Sequence, residues 1–253
     1  PVYWCAHDET ALAEAEIEYK DDPCTTVYVK FPMNDDLGKL SHLDKSKLSF
    51  VIWTTTIWTL PGNLAIALHP DESYAVVKAD NGEMYIMAEA LVEKVMKVGG
   101  FDSYEIVETH NGMFYENMLA SHPFLDKTSR LLLADYVTMD SGTGCVHTAP
   151  GFGADDYLTC LKYGMDMVVP VDDQGRHTEY AGKYAGLKTE ESNPIILEDM
   201  KQSGVLFASE EIVHSYPHCW RCKSPIIFRA TPQRFCSVDS CKDEATAACE
   251  DVR

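Results

Sequence analysis

The stretch 48–56, LSFVIWTTT, decides the fold. Apolar side chains run from Leu48 to Trp53 with one serine among them, the composition of a strand with little solvent on either face. Working outward, 25–31 (TTVYVKF) is a second β-branched and aromatic run, expected to end at Pro32, and the polar stretch 34–47 is expected to be a loop. Segments 74–78 and 83–87 flank Asn81-Gly82, whose tolerance of left-handed backbone suits a tight hairpin. A helix is expected over 90–98, stopped by Gly99-Gly100. Further strands are expected over 105–109, 129–133, 136–139 and 168–171, with turns at Asn111-Gly112 and 172–175. Two more helices are expected: 155–163, with its acids at the positive end, and 193–203, with Pro194 in its first turn and Gly204 at its end. Segment 11–19 (ALAEAEIEY) is open between a short helix, from its Ala and Glu content, and a strand, from its strict alternation. There is no internal repeat. The sum is an α+β fold with a barrel-like β core and peripheral helices.

The 253 residues, 45% hydrophobic and 24% charged, suffice for one large domain or two small ones and exclude collagen-like, low-complexity and disordered classes. No apolar run is long enough to span a bilayer, so no membrane partner is expected. The opening residues Pro1-Val2-Tyr3-Trp4-Cys5 lack the pattern of a secretory leader and read like the interior of a longer chain. With 21 basic against 40 acidic residues, the net charge is −19. That argues against a domain gripping nucleic acid by electrostatics alone, though not against one that receives a few nucleotides delivered by another module. An odd count of nine cysteines without a leader points to a reduced, cytoplasmic protein.

Two segments carry chemistry. In 53–63 (WTTTIWTLPGN), Thr54, Thr55, Thr56, Thr59 and Asn63 cluster at a strand end and the turn after it. Isolated threonines there would merely cap the backbone, but this density of neutral donors and acceptors suits holding a polar ligand or a water. In 142–157 (GTGCVHTAPGFGADDY), closely spaced glycines let the backbone bend and approach a ligand, and His147 and Asp156 lie at opposite ends. The spacing matches neither a P-loop nor a dinucleotide fingerprint. No Ser-His-Asp or Cys-His nucleophile arrangement is apparent.

These two segments closely resemble the signatures of the editing domain of isoleucyl-tRNA synthetases, an insertion in a Rossmann catalytic domain. The flanks agree: YWC (3–5) and TALAEAEIEY (10–19) at the start, HSYPHCWRCKSPIIFRATPQ (214–233) at the end. The resemblance runs over nearly all of 1–235. The valine and leucine enzymes share the fold, but their threonine element resembles TTRPE or TTRPDT, so the neutral TTTIWT favours isoleucine. The resemblance implies incoming strands from the catalytic body over 1–22, an editing domain over 23–209 and a return segment over 210–253. It implies hydrolysis of valyl-tRNA(Ile). Rejection of valine by isoleucyl-tRNA synthetase is the standard example of a missing methylene being worth only about 1–3 kcal/mol, too little for translation without a second sieve.

In that family pattern Asp156 holds the α-ammonium, and His147 lines the side-chain pocket and helps exclude isoleucine. Thr54, Thr55, Thr56, Thr59 and Asn63 position the ester, the terminal adenosine and the attacking water. Water attacks directly, helped by the substrate's ribose hydroxyl, with no covalent enzyme intermediate. The implied partners are the CCA end of tRNA(Ile) mischarged with valine and the rest of the synthetase in cis, on a monomeric fragment. ATP belongs only to a catalytic domain whose HIGH- and KMSKS-type signatures are not in this sequence. Phe152 stands where the family usually has a second histidine, and Ile57 where many members have proline. Phe152 keeps one rival open, a catalytically decayed domain serving as a CCA-end or interaction module. Threonine removal, as by the valine enzyme, is the other.

Cys219-Trp220-Arg221-Cys222 is a C-x-x-C without the βαβ context of a redox motif, which leaves half of a zinc site or plain unmetallated thiols. The family often completes it with a second C-x-x-C near the start. Here that position reads Cys5-Ala6-His7-Asp8, so Cys5, Cys219, Cys222 and either Asp8 or His7 would hold a structural Zn2+. Cys236, Cys241 and Cys249 have irregular spacing and receive no ligand role.

Overall fold

The computed structural model describes residues 1–234 and 237–250; Cys236 and residues 251–253 of the return segment lie outside the described residues. In chain order the strands are β1 (Val2–Cys5), β2 (Thr10–Leu12), β3 (Ile17–Asp35), β4 (Leu48–Thr54), β5 (Ala65–Leu68), β6 (Ser73–Ala79) and β7 (Met84–Ala88). They continue with β8 (Tyr104–Asn111), β9 (Leu119–Ser121), β10 (Thr128–Leu133), β11 (Val146–Thr148), β12 (Leu206–Cys219) and β13 (Ile227–Arg229). The helices are α1 (Val92–Val98), α2 (Ala154–Lys162), α3 (Thr189–Gln202) and α4 (Lys242–Glu250).

The sheet order β3-β9-β10-β5-β11-β4 closes on itself, because β3 also pairs with β4 from Val27↔Thr54 to Pro32↔Ser49. The α+β expectation and its barrel-like core are both borne out. Closure leaves β4 covered on both faces: Leu48, Phe50, Val51 and Ile52 are essentially fully buried, each worth about 1.5–3 kcal/mol of transfer free energy. From β4 the sheet extends through β7, β6 and β8, the hairpin expected around Asn81-Gly82. Gly82 takes φ +83°, and Asn81 Oδ1 accepts the Glu83 N–H (2.9 Å).

Strand β3 runs through Pro32 instead of ending there, and the pairing explains why. Lys30 N–H donates toward the β12 side, to Val205 O (2.8 Å), so residue 32 would present its N–H to the same edge. There β12 has already left (Val29↔Leu206) and β9 begins only at Met33↔Ala120, so proline forfeits no ladder bond. Below the barrel β3 and β12 form a long two-stranded ribbon, continuous across both expected boundaries, 22/23 and 209/210. At its foot β1 pairs with β2 and with β13 (Val2↔Arg229), tying the first strand to the segment that follows β12.

Several local expectations are corrected. Segment 11–19 resolves into β2, a short 3-10 turn (Glu14–Glu16) capped at its start by the Glu16 carboxylate, which accepts the Ala13 N–H (2.9 Å), and the start of β3. Segment 136–139 is not a strand: after β10 the chain turns at 135–136 and continues irregularly, with Val137 packed on Ala67 and Ala134. Segment 168–171 keeps only an isolated bridge, Val171↔His177, because its neighbour is the Gly151 loop crossing at Val168 O rather than a strand edge. Asn111 does not make a hairpin turn with Gly112; its Oδ1 accepts the Phe114 N–H (3.1 Å) and caps a 3-10 turn. Helix α3 starts at Thr189, since Glu191 accepts the Lys188 N–H (3.1 Å) and nucleates an extra turn, leaving Pro194 inside the helix.

Candidate active site

Strands β4 and β11 are parallel neighbours (Val146↔Trp53), which brings the threonine-rich and glycine-rich segments side by side. Strand β4 stops at Thr54 because its hydroxyl accepts the Thr56 N–H (3.0 Å) and turns the chain. A wholly buried 3-10 helix, Ile57–Gly62, follows. Thr59 Oγ1 donates to Thr56 O (2.8 Å), and Asn63 ends the turn through its N–H on Leu60 O (3.0 Å).

Buried His147 is gripped at both ring nitrogens. Its Nε2 lies 3.1 Å from Thr59 Oγ1 and its Nδ1 2.8 Å from Asn63 Nδ2. The hydroxyl hydrogen of Thr59 goes to Thr56 O, so Thr59 accepts and the imidazole proton sits on Nε2. Asn63 then donates to Nδ1 and, with its other hydrogen, to Ala65 O (2.8 Å), while its Oδ1 accepts from the Ser129 hydroxyl. Burial pulls His147 down to about 3. It is a neutral wall with no free nitrogen, unable to relay a proton at neutral pH. Asn63, fully buried, stands behind that wall and does not reach the cavity; every polar atom of its side chain is already engaged.

Asp156 sits in the first turn of α2, folded back over its own helix N-terminus. One carboxylate oxygen accepts the Ala149 N–H (2.8 Å), the other the Tyr136 hydroxyl (3.3 Å). Burial raises its carboxyl to about 6, with Asp155 adding to the rise and the two donors offsetting part of it. Asp156 faces Thr54, Thr56, Thr59 and His147 across one cavity of about 280 Å³, near the lower end of ligand-pocket sizes. Thr55 is absent from that lining. With Thr54 it borders an adjoining cleft of about 300 Å³ walled by the 141–147 loop.

The apolar wall comes from Trp58 and Phe152, whose rings meet edge to face (4.8 Å, 76°). Gly62 permits this approach: a Cβ there would lie 2.7 Å from the Phe152 ring. Phe152 therefore serves as packing, and Ile57 is likewise buried. Sequence reasoning missed Tyr136, misplaced in a strand, and the closing wall of His214, Tyr216 and Phe228 from β12 and β13. The only signal for that wall was the aromatic density of 214–220.

At the ribbon's foot, ligand atoms of Cys5, Asp8, Cys219 and Cys222 all lie within 4.8 Å of one another. The Cys5 and Cys222 sulfurs are 3.4 Å apart, and Cys219 Sγ lies 3.5 Å from Asp8 Oδ2. The other oxygen of Asp8 meets exposed His7 Nδ1 at 3.1 Å, so Asp8, not His7, faces the sulfurs. Three thiols and a carboxylate at such spacing suit a tetrahedral ion with bonds of about 2.0–2.3 Å.

A family model described as the leucyl-tRNA synthetase editing domain matches residues 39–213. Isoleucine–tRNA ligase of Thermoanaerobacter sp. (strain X514) is 51% identical over 254 residues, covering 100% of this chain and 27% of that protein. The isoleucine–tRNA ligase of Petrotoga mobilis is 52% identical over 239 residues, 94% of this chain and 25% of its own length. The chain thus spans about a quarter of the curated relatives it matches. The crystal structure of the P. knowlesi cytosolic leucyl-tRNA synthetase editing domain has a TM-score of 0.53 at 13% identity, over 76% of this chain and 97% of that one, a likeness of fold. With that family model spanning five of the six barrel strands and the loop that holds Asp156, the chain belongs to the family of the leucyl-tRNA synthetase editing domain.

Proposed function

We propose that this chain is the editing domain of an isoleucyl-tRNA synthetase and hydrolyses the ester of valyl-tRNA(Ile) in the cytoplasm, acting in cis with the rest of that enzyme. The observation carrying this reading is the single cavity in which the Asp156 carboxylate opposes Thr54, Thr56 and Thr59. Ionised above about pH 6, Asp156 holds the α-ammonium of the aminoacyl group by a charge-assisted hydrogen bond. The aminoacyl side chain then rests against neutral His147 and the Trp58–Phe152 wall, where valine fits and a further methylene crowds the packed rings. The ribose and terminal adenosine extend past Thr54 into the adjoining cleft beside Thr55.

Neither nitrogen of His147 is free, so general-base help from that residue is excluded. The threonine hydroxyls orient the water, and the substrate's ribose hydroxyl assists. The acidic surface (net charge −19) leaves whole-tRNA binding to other modules. The four-residue cluster holds a structural zinc through Cys5, Asp8, Cys219 and Cys222, fixing the ribbon's foot. ATP is used only by the synthetic site of the enzyme. Incubated with charged tRNA(Ile), the protein is expected to release valine at least about 100-fold faster than isoleucine, a ratio in the range one methylene supports. Equal rates, or no release of valine, would refute the assignment.

A further inference from the structure

The threonine element is held from behind by a hairpin whose polar side chains do not line the cavity. Its 3-10 turn, Ile57–Gly62, is buried throughout, so the carbonyls at its C-terminal end need partners from elsewhere in the fold. Leu60 O, besides accepting the Asn63 N–H, accepts from His122 Nε2 (2.9 Å); Pro61 O accepts from Lys127 Nζ (2.6 Å). Both side chains come from the β9–β10 connection, which is closed on itself by the His122 N–H donating to Lys127 O (2.9 Å). His122 Nδ1 accepts the N–H groups of Phe124 (3.3 Å) and Leu125 (3.1 Å), so its proton sits on Nε2, the atom facing Leu60. The imidazole is buried edge-on to Phe31 and Phe124, which leaves it no other seat. Lys127 is half-buried, and its ammonium also lies over the Tyr180 ring at 4.9 Å.

The geometry points to His122 and Lys127 as positioning residues of the hydrolytic site. Leu60 and Pro61 lie between Thr59 and Asn63, the two residues that grip His147. Fixing those two carbonyls fixes both ends of the hydrogen-bond chain, and with it the wall opposite Asp156. His122 and Lys127 touch no substrate; they act through the turn.

The kinetic side of this inference rests on the hydrolytic reading, so its test has two arms. In the full-length protein, Lys127→Met and His122→Leu remove the donors, while Lys127→Arg and His122→Gln can still reach the same carbonyls. The first pair is expected to lower kcat for valine release about 10–100-fold, as ångström-scale misplacement does, with KM within about threefold. The second pair restores most of the loss. Independently, the imidazole 15N signals of His147 are expected to leave the Nε2–H pattern in Lys127→Met and keep it in Lys127→Arg. A folded Lys127→Met protein with wild-type kcat and unmoved His147 signals overturns the inference. If the wild-type protein releases no valine, the hydrolytic reading fails by itself. The His147 signals then decide the clamp alone: displaced they support it, unmoved they overturn it. Lys127 sits at the rim of the packing, so the decision does not depend on His122→Leu folding.

Discussion

Asp156→Asn is expected to abolish most hydrolysis while making the protein more stable. The loss follows from the charge: the amide cannot neutralise a substrate ammonium held in a desolvated pocket, and leaving such a charge unpaired costs about 3–5 kcal/mol. The rate of valine release should therefore fall by about 10²–10⁴-fold. The gain in stability follows from the raised carboxyl. A folded-state value of about 6 against an ordinary 3.8 means the native protein binds more protons than the unfolded chain between those values. Native stability is accordingly highest below about pH 4 for this group and declines as pH rises through 6. At pH 7 the ionised side chain carries the whole penalty. Asparagine removes it, for a gain of about 1–2 kcal/mol once the partial solvent screening of this half-buried group is allowed for. The asparagine Oδ1 can keep the Ala149 N–H, and its amide can donate to Tyr136. Thermal unfolding at pH 7 and single-turnover deacylation together check both halves. In the wild-type protein, valine release should drop with one protonation as pH falls through about 6, and a flat profile from pH 5 to 8 would count against the role of Asp156.

Removing metal from the ribbon's foot is the second large effect. Three thiols and a carboxylate converge from the start of the chain and from the end of β12, where β1, β2 and β13 meet the foot of the β3–β12 ribbon. Ligation there would tie Cys5 to Cys219 and Cys222 across more than two hundred residues of sequence. An ion present at about a thousand times its Kd stabilises by about 4 kcal/mol. Protein purified without chelator is expected to carry one zinc per chain, and its removal to lower the unfolding midpoint by roughly 8–16 °C. Cys219→Ser should reproduce that loss, whereas His7→Ala should not, because His7 meets only the outer oxygen of Asp8. Metal-free protein with an unchanged midpoint on chelation would dismiss the zinc site.

Much of this was legible in the sequence, and for physical reasons. The β4 segment announced itself because barrel closure buries both faces, which demands an apolar run; the 73–88 hairpin did so because Asn81-Gly82 encodes its own turn. Pro32 misled because proline's effect depends on which edge its nitrogen faces, a property of pairing partners distant in sequence. Segment 136–139 misled because its apolar pattern serves an irregular stretch packed on Ala67. At the site, the two motifs identified Thr54, Thr56, Thr59, His147 and Asp156, which converge on one cavity. They could not separate a lining residue from one supporting it: Asn63 proved to stand behind His147, and Thr55 to face the neighbouring cleft. Tyr136, His122 and Lys127 belong to neither motif, and only tertiary contacts disclose them.

In the proposed reaction Asp156 and the threonine hydroxyls together cradle one aminoacyl ester. A crystal structure of the protein with a non-hydrolysable valyl-adenosine tests this arrangement most directly. The α-ammonium is expected within about 3 Å of an Asp156 oxygen, the valyl side chain against His147 and Trp58 and the adenosine past Thr54. A ligand bound with its ammonium turned from Asp156, or seated outside this cavity, would contradict that arrangement.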